Sequence, residues 1–250
     1  TTAKENWKIT ADQLTSAITT NTKVLMLNSP SNPTGSSYSK QELQQIGEVL
    51  SKHPNIIIIS DDIYEKIYWG NEPFCNIIMA CPELKDRCLL VNGTSKAYAM
   101  TGWRIGYTAG HIDIIKAMSK LQSHLSGCAC SVSQAAAIAA LSSDQTPIIN
   151  NAKIFKQRYQ IGYDAINSID NLSCEPSTGA FYILINATQL MQKNNIATDI
   201  ELAQTLLEKC HIALVPGSVF GIQNHLRLSF ALDNKSLITG LARLKEYADK

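Results

Sequence analysis

Residues 23–60, KVLMLNSPSNPTGSSYSKQELQQIGEVLSKHPNIIIIS, decide the fold class. Residues 23–28 (KVLMLN) read as a strand that ends in the turn-rich segment 29–35. Ser39 then opens a helix over 41–52, with Glu42 three residues on completing a capping box. Residues 55–60 (NIIIIS) form a continuous β-branched run, as in a parallel strand covered on both faces. Strand, helix and strand at this spacing make a βαβ unit. Further strands are expected at 87–92 and 104–109, so the sheet is mainly parallel with flanking helices.

Beyond residue 110 the pattern turns helical, at 112–125, 133–141 and, after Pro147, 148–169. Strands at 180–185, 212–215 and 225–230 and helices at 199–210 and 235–247 then read as a smaller α+β domain. The expected architecture is α/β: residues 1–150 form a large domain, and a long helix leads into a smaller C-terminal domain at 151–250.

Composition excludes several classes. The 250 residues carry 22 Lys+Arg against 21 Asp+Glu, a formal charge of +1, which gives no basic footprint for nucleic acid. Apolar residues are 45% and charged residues 17%, enough for a sizeable core and too ordered in pattern for a disordered chain. Apolar runs such as Ile56-Ile57-Ile58-Ile59 fall far short of a membrane span, and no basic-then-apolar leader opens the chain. Seven cysteines, an odd number irregularly spaced, argue for reduced thiols packed as small apolar side chains in a cytoplasmic protein, with neither a disulfide framework nor a zinc site.

In α/β sheets ligands gather at the carboxyl ends of strands. After the first strand comes Asn28-Ser29-Pro30-Ser31-Asn32-Pro33-Thr34-Gly35, after the second Asp61-Asp62-Ile63-Tyr64, and after the third Gly93-Thr94-Ser95-Lys96. Arg104 starts the fourth. A carboxylate, a phenol, an amide, an amine and a guanidinium therefore converge where one ligand could meet them. Pyridoxal phosphate asks for this set: an amine for its aldehyde, a carboxylate at its ring nitrogen, a donor at its phenolate oxygen, and cationic or hydroxyl groups at its phosphate.

The segments NSPSNPTG (28–35), SDDIYE (60–65), NGTSKAYAMTGWRIGY (92–107), PSTGAFYIL (176–184) and HLRLSFA (225–231) resemble the fold-type I pyridoxal-phosphate aminotransferases, and among them the aspartate aminotransferase group. The ordered set is specific, and the S-K-x-x-x-M-T-G-W-R-x-G-Y stretch carries most of the weight; NPTG alone would be only a turn. The resemblance implies that Lys96 forms the Schiff base with the cofactor and carries the proton between substrate and cofactor. It implies that Asp61 pairs with the pyridine nitrogen, that Tyr64 and Asn32 bond the phenolate oxygen, and that Ser95 and Arg104 hold the phosphate. Arg227 would clamp the substrate α-carboxylate, Asn32 would share that task, and Phe181 would line the substrate pocket. It further implies an L-amino acid, aspartate first, and a 2-oxo acid, 2-oxoglutarate first, as substrates of a homodimer.

Taken alone, Asp61 could be an Asx-type turn residue, Arg227 could pair with Asp233 at the surface, and Trp103 is expected to pack in the interior. Asp62 stands where the family more often has Glu, and Gly93 where some relatives place a phosphate-binding hydroxyl. Family members are longer two-domain chains, and this one opens at Thr1 with no Met. The sequence therefore reads as the C-terminal portion of such a protein, with an incomplete large domain. Two other readings stand beside the enzyme: an aminotransferase-like effector-sensing domain of a transcription regulator, and an inactive fragment.

Overall fold

The computed structural model describes all 250 residues, Thr1–Lys250. In chain order the elements are α1 (Ala11–Ala17), β1 (Val24–Asn28), α2 (Lys40–Ser51), β2 (Ile57–Asp61), α3 (Ile77–Ala80), β3 (Cys88–Gly93), β4 (Gly106–Ala109), α4 (Ile112–Leu125), α5 (Ser131–Ser142), α6 (Thr146–Asn167), β5 (Ser173–Cys174), β6 (Tyr182–Asn186), α7 (Thr188–Lys193), α8 (Asp199–Cys210), β7 (Val215–Pro216), β8 (His225–Ser229) and α9 (Asn234–Asp249). The chain forms two compact units: Thr1–Pro30 with Ser37–Asn150, and Ser31–Ser36 with Asn151–Lys250.

In the first unit the sheet runs β1-β2-β3-β4. β1, β2 and β3 are parallel, and β4 returns antiparallel to β3. The fold class expected from the alternating pattern is therefore the one observed. Helix α2 starts as its capping box dictates: Ser39 Oγ accepts from Glu42 N at 3.2 Å and Glu42 Oε2 accepts from Ser39 N at 2.7 Å. Its far end is closed by Arg87, whose guanidinium donates to the carbonyls of Leu50, His53 and Ile56. Leu27, Leu43, Ile46, Leu50, Ile58, Ile77 and Leu84 form the core beneath one face of the sheet.

The other face departs from expectation. Ile57 and Ile59 are only partly covered, and Val24 and Met26 of β1 are exposed, so β2 is not sealed on both faces. No residue of α4 is buried, and α5 buries only Ser133 and Ala137. Trp103, expected to pack, is 44% exposed.

The second unit has a four-stranded antiparallel sheet of order β5-β6-β8-β7. Tyr182 to Ile185 are all buried, and the core continues through Leu190, Leu202, Leu206, Phe230, Leu241 and Leu244. The strand expected at 212–215 is reduced to the pair Val215–Pro216, and the turn that opens at Gly217 ends it. All seven cysteines are free; Cys81 and Cys88 are buried as expected, whereas Cys128 and Cys130 are exposed. No helix is long and apolar enough to cross a membrane.

Candidate active site

Parallel pairing brings the carboxyl ends of β1, β2 and β3 to one edge. Asn28 pairs with Asp61, and Asp61 with Val91. The Asn28 amide tightens this edge, donating to the Asp61 carbonyl at 3.0 Å. Because β4 is antiparallel and Gly93 pairs with Gly106, Arg104 enters β4 from the same edge that β3 leaves toward Ser95 and Lys96. Sheet register alone therefore gathers Asp61, Ser95, Lys96 and Arg104.

Asp61 makes an Asx-type bond, its Oδ1 accepting from Ile63 N at 3.2 Å. The turn reading is thus correct for one oxygen and leaves the other free to accept. Burial pushes its carboxyl above the ordinary carboxylate range. A cationic N–H at that oxygen would recover the lost solvation.

Asp62 points the opposite way along the pleat and is 3% exposed. It accepts from Ser60 Oγ at 2.7 Å and from Asn76 Nδ2 at 2.7 Å. Its backbone N–H bonds the Val91 carbonyl at 2.9 Å. This buried network fastens the turn that presents Asp61, and Tyr64 lies buried in the same turn.

The loop after β3 is tight. Thr94 is fully buried with its hydroxyl unpaired, whereas Ser95 and Lys96 are half-buried. Gly93 is tightly packed: a Cβ there would lie 3.0 Å from the Ile105 carbonyl oxygen and 3.2 Å from the Gly106 Cα, so a side chain would need its neighbours to give by a few tenths of an ångström. Arg104 is exposed, takes φ +49° and donates to the Thr101 carbonyl at 3.0 Å. A non-glycine residue in the left-handed region is uncommon and gathers where function needs it.

The second unit supplies the other half of the candidate set. Arg227 sits on β8, paired with Leu184 on one side and Val215 on the other. Its Nη1 donates to Asn32 Oδ1 at 2.8 Å, so two residues far apart in sequence meet. The segment 31–36 is held there by Gly35, whose carbonyl accepts from the N–H groups of Thr178 and Gly179. The guanidinium carbon lies 4.5 Å from the Tyr182 ring centroid and 4.9 Å from that of Phe220. Its Nε is buried and has no acceptor. Asp233 is not its partner, because that carboxylate caps α9 through Ser236. Phe181 stacks on Phe155 at 5.6 Å, and the ring against Arg227 is its neighbour Tyr182.

The model of the aminotransferase class I and II family matches residues 1–244. The chain belongs to that family. It is 44% identical over 247 residues to the aspartate/prephenate aminotransferase of Nitrosomonas europaea, covering 96% of this chain and 62% of the relative. It is 43% identical to an aspartate aminotransferase of Geobacillus stearothermophilus, over 98% of this chain and 62% of that one. Among solved structures, the aspartate aminotransferase of Rhizobium meliloti superposes with a TM-score of 0.94 at 38% identity, over all of this chain and 64% of that one. The class I and II chain thus spans about 62% of the length of the curated relatives it matches.

Three residues of this aminotransferase chain escaped the sequence reading. Thr94 stands inside the 92–107 stretch, and no role was assigned to it there. Tyr182 and Phe220 reach Arg227 only through strand register and a turn. A single signal was present for Phe220, the Pro216-Gly217 turn that ends β7, the strand directly beside the one that carries Arg227.

Proposed function

We propose that this chain carries the cofactor-holding and carboxylate-holding residues of a pyridoxal-phosphate aminotransferase that exchanges an amino group between L-aspartate and 2-oxoglutarate, working as a homodimer in the cytoplasm. The observation that carries the reading is the register-built edge of the first sheet, where a desolvated Asp61, Lys96 and Arg104 stand together. The names of the relatives support aspartate as the amino donor.

The donor set fits the cofactor. Pyridoxal phosphate, when bound, supplies an aldehyde that condenses with an amine and a ring that withdraws electrons from the substrate α-carbon. Asp61 has an oxygen to spare, and its carboxylate, when ionised, would keep a proton on the ring nitrogen through its negative charge. Ser95 and Arg104 bind the phosphate, the guanidinium by a fork that an ammonium lacks. Tyr64 and Asn32 donate to the phenolate oxygen.

Lys96 is both the anchoring amine and the base: its Nζ takes the proton from the substrate α-carbon and returns it on the far side of the exchange. Arg227 holds the substrate α-carboxylate. Its buried, unpaired Nε is a donor that an arriving carboxylate would satisfy. Phe181 bounds the space beside the substrate.

The test is borohydride reduction of the full-length protein in the presence of pyridoxal phosphate, followed by peptide mapping. A phosphopyridoxyl group on Lys96 is expected. Lys96→Ala should lose both the adduct and transamination, at least 10³-fold, while keeping its far-ultraviolet dichroism. An adduct on another lysine, or none, overturns the assignment.

A further inference from the structure

Arg227 is enclosed by residues that the carboxylate assignment does not account for. The Tyr182 ring approaches the guanidinium from β6, and the Phe220 ring approaches it from the turn Gly217–Phe220 that follows β7. The guanidinium carbon stands over both rings, 4.5 Å from one centroid and 4.9 Å from the other.

The turn that delivers Phe220 is firmly built. A Cβ at Gly217 would run into the Ile222 carbonyl and into His225, so glycine alone lets the chain pass there. Ser218 N–H donates to Asp199 Oδ2 at 2.9 Å, and Asp199 is buried in the first turn of α8. Ile222 N–H closes the turn on the Gly217 carbonyl at 3.0 Å, and Gly221 leaves it at φ +77°. Phe220 itself is only half-buried, although so much backbone is committed to holding it.

A guanidinium is planar and donates only in its plane. Rings over its faces block water where no donor points and add a cation–π attraction. Asn32 takes one Nη1 donor, which stops the fork from turning about its stem. We propose that Phe220 and Tyr182 are positioning residues that fix the plane of Arg227 and desolvate its faces, so that an incoming carboxylate meets a preset fork. This rests on the reading of Arg227 as the carboxylate site. The clamp acts on carboxylate affinity and leaves the proton transfer at Lys96 alone.

The test is calorimetric binding of maleate, an unreactive dicarboxylate, to the full-length protein with and without pyridoxal phosphate. Phe220→Leu and Phe220→Met should each weaken maleate about tenfold, and Phe220→Tyr should restore it to within about twofold. In steady state the two aliphatic variants should raise the KM for L-aspartate by about the same factor and change kcat less than about twofold. If Phe220→Leu does not fold, Phe220→Met carries the comparison. The clamp is overturned if the aliphatic variants bind maleate as the parent does, or if Phe220→Tyr is as weak as they are. Arg227→Lys separates the two ideas. Lost maleate binding there, with intact binding in the Phe220 variants, removes the clamp alone. Unchanged binding in Arg227→Lys removes the carboxylate reading and the clamp with it.

Discussion

Asp61 is held in the fold at a disadvantage that a ligand can remove. Burial lifts its pKa above the value it has in an unfolded chain. The folded state therefore binds more protons across the window between the two values, and its contribution to stability falls as pH rises through that window. Ligand binding has the opposite sign: protonated Asp61 cannot hold a ring N–H cation. Affinity for pyridoxal phosphate should be full above the raised pKa and decline as pH falls through it, starting above the ordinary carboxylate range. Asp61→Asn should abolish that acid limb and weaken cofactor binding at neutral pH by roughly 10- to 100-fold. It should leave the melting temperature equal or higher. Fluorescence titration of pyridoxal phosphate against pH, beside a thermal melt, measures both; a variant that melts lower and binds normally contradicts the assignment.

Residue chemistry was the most legible part of the sequence. Asp61, Lys96 and Arg104 could be picked out because each is a charged group at or near the end of a strand. Asn32 and Arg227 could be named only through motifs, and their 2.8 Å bond has no local signature. Tyr182 was hidden for a simpler reason. It opens β6 directly after Phe181, and one residue of strand phase decides which ring faces the arginine.

Elements show a different balance. Capping boxes fixed the start of α2, and the pair Thr10 and Gln13 that starts α1 carries the same signal, although seven mostly small and polar residues hide that helix from periodicity. What periodicity cannot show is why a turn must close where it does. Gly35 has φ +71°, and a Cβ there would stand 2.8 Å from the Gly179 carbonyl oxygen and 2.8 Å from the Ser177 Cβ. Gly35→Ala should therefore destabilise the protein by at least about 1–2 kcal/mol from the left-handed backbone alone, with the steric clash added. The effect should extend to ligand affinity, since the same segment brings Asn32 to Arg227. Chemical denaturation and maleate binding on one variant check both, and an alanine that costs neither would show the close packing at 177–179 to be slack.

At the scale of the whole molecule the two units differ in how they were announced. The parallel strands of the first unit declared themselves as uninterrupted apolar runs, and the antiparallel return of β4 did not. The membership of Ser31–Ser36 in the second unit is a long-range fact that no linear division of the chain contains. Uneven burial across the molecule makes its seven thiols a direct reporter of this arrangement. Cys128 and Cys130 are exposed, and the backbone N–H groups of Ser133 and Val132 at the start of α5 hold the Cys130 thiol below its usual range. Burial pushes Cys88 up to about 11 and Cys174 up to about 12. Reaction follows the thiolate fraction and its access to solvent. In the folded 250-residue chain, an aromatic disulfide reagent should modify Cys128 and Cys130 first, with Cys130 still reacting as pH is lowered. Cys81 and Cys88 should react only as fast as the first unit opens. Labelling at several pH values with peptide mass spectrometry gives the order directly. Early modification of Cys88 would mean that the core around β3 is open in solution, and that the edge it builds for Asp61 and Lys96 is not preformed.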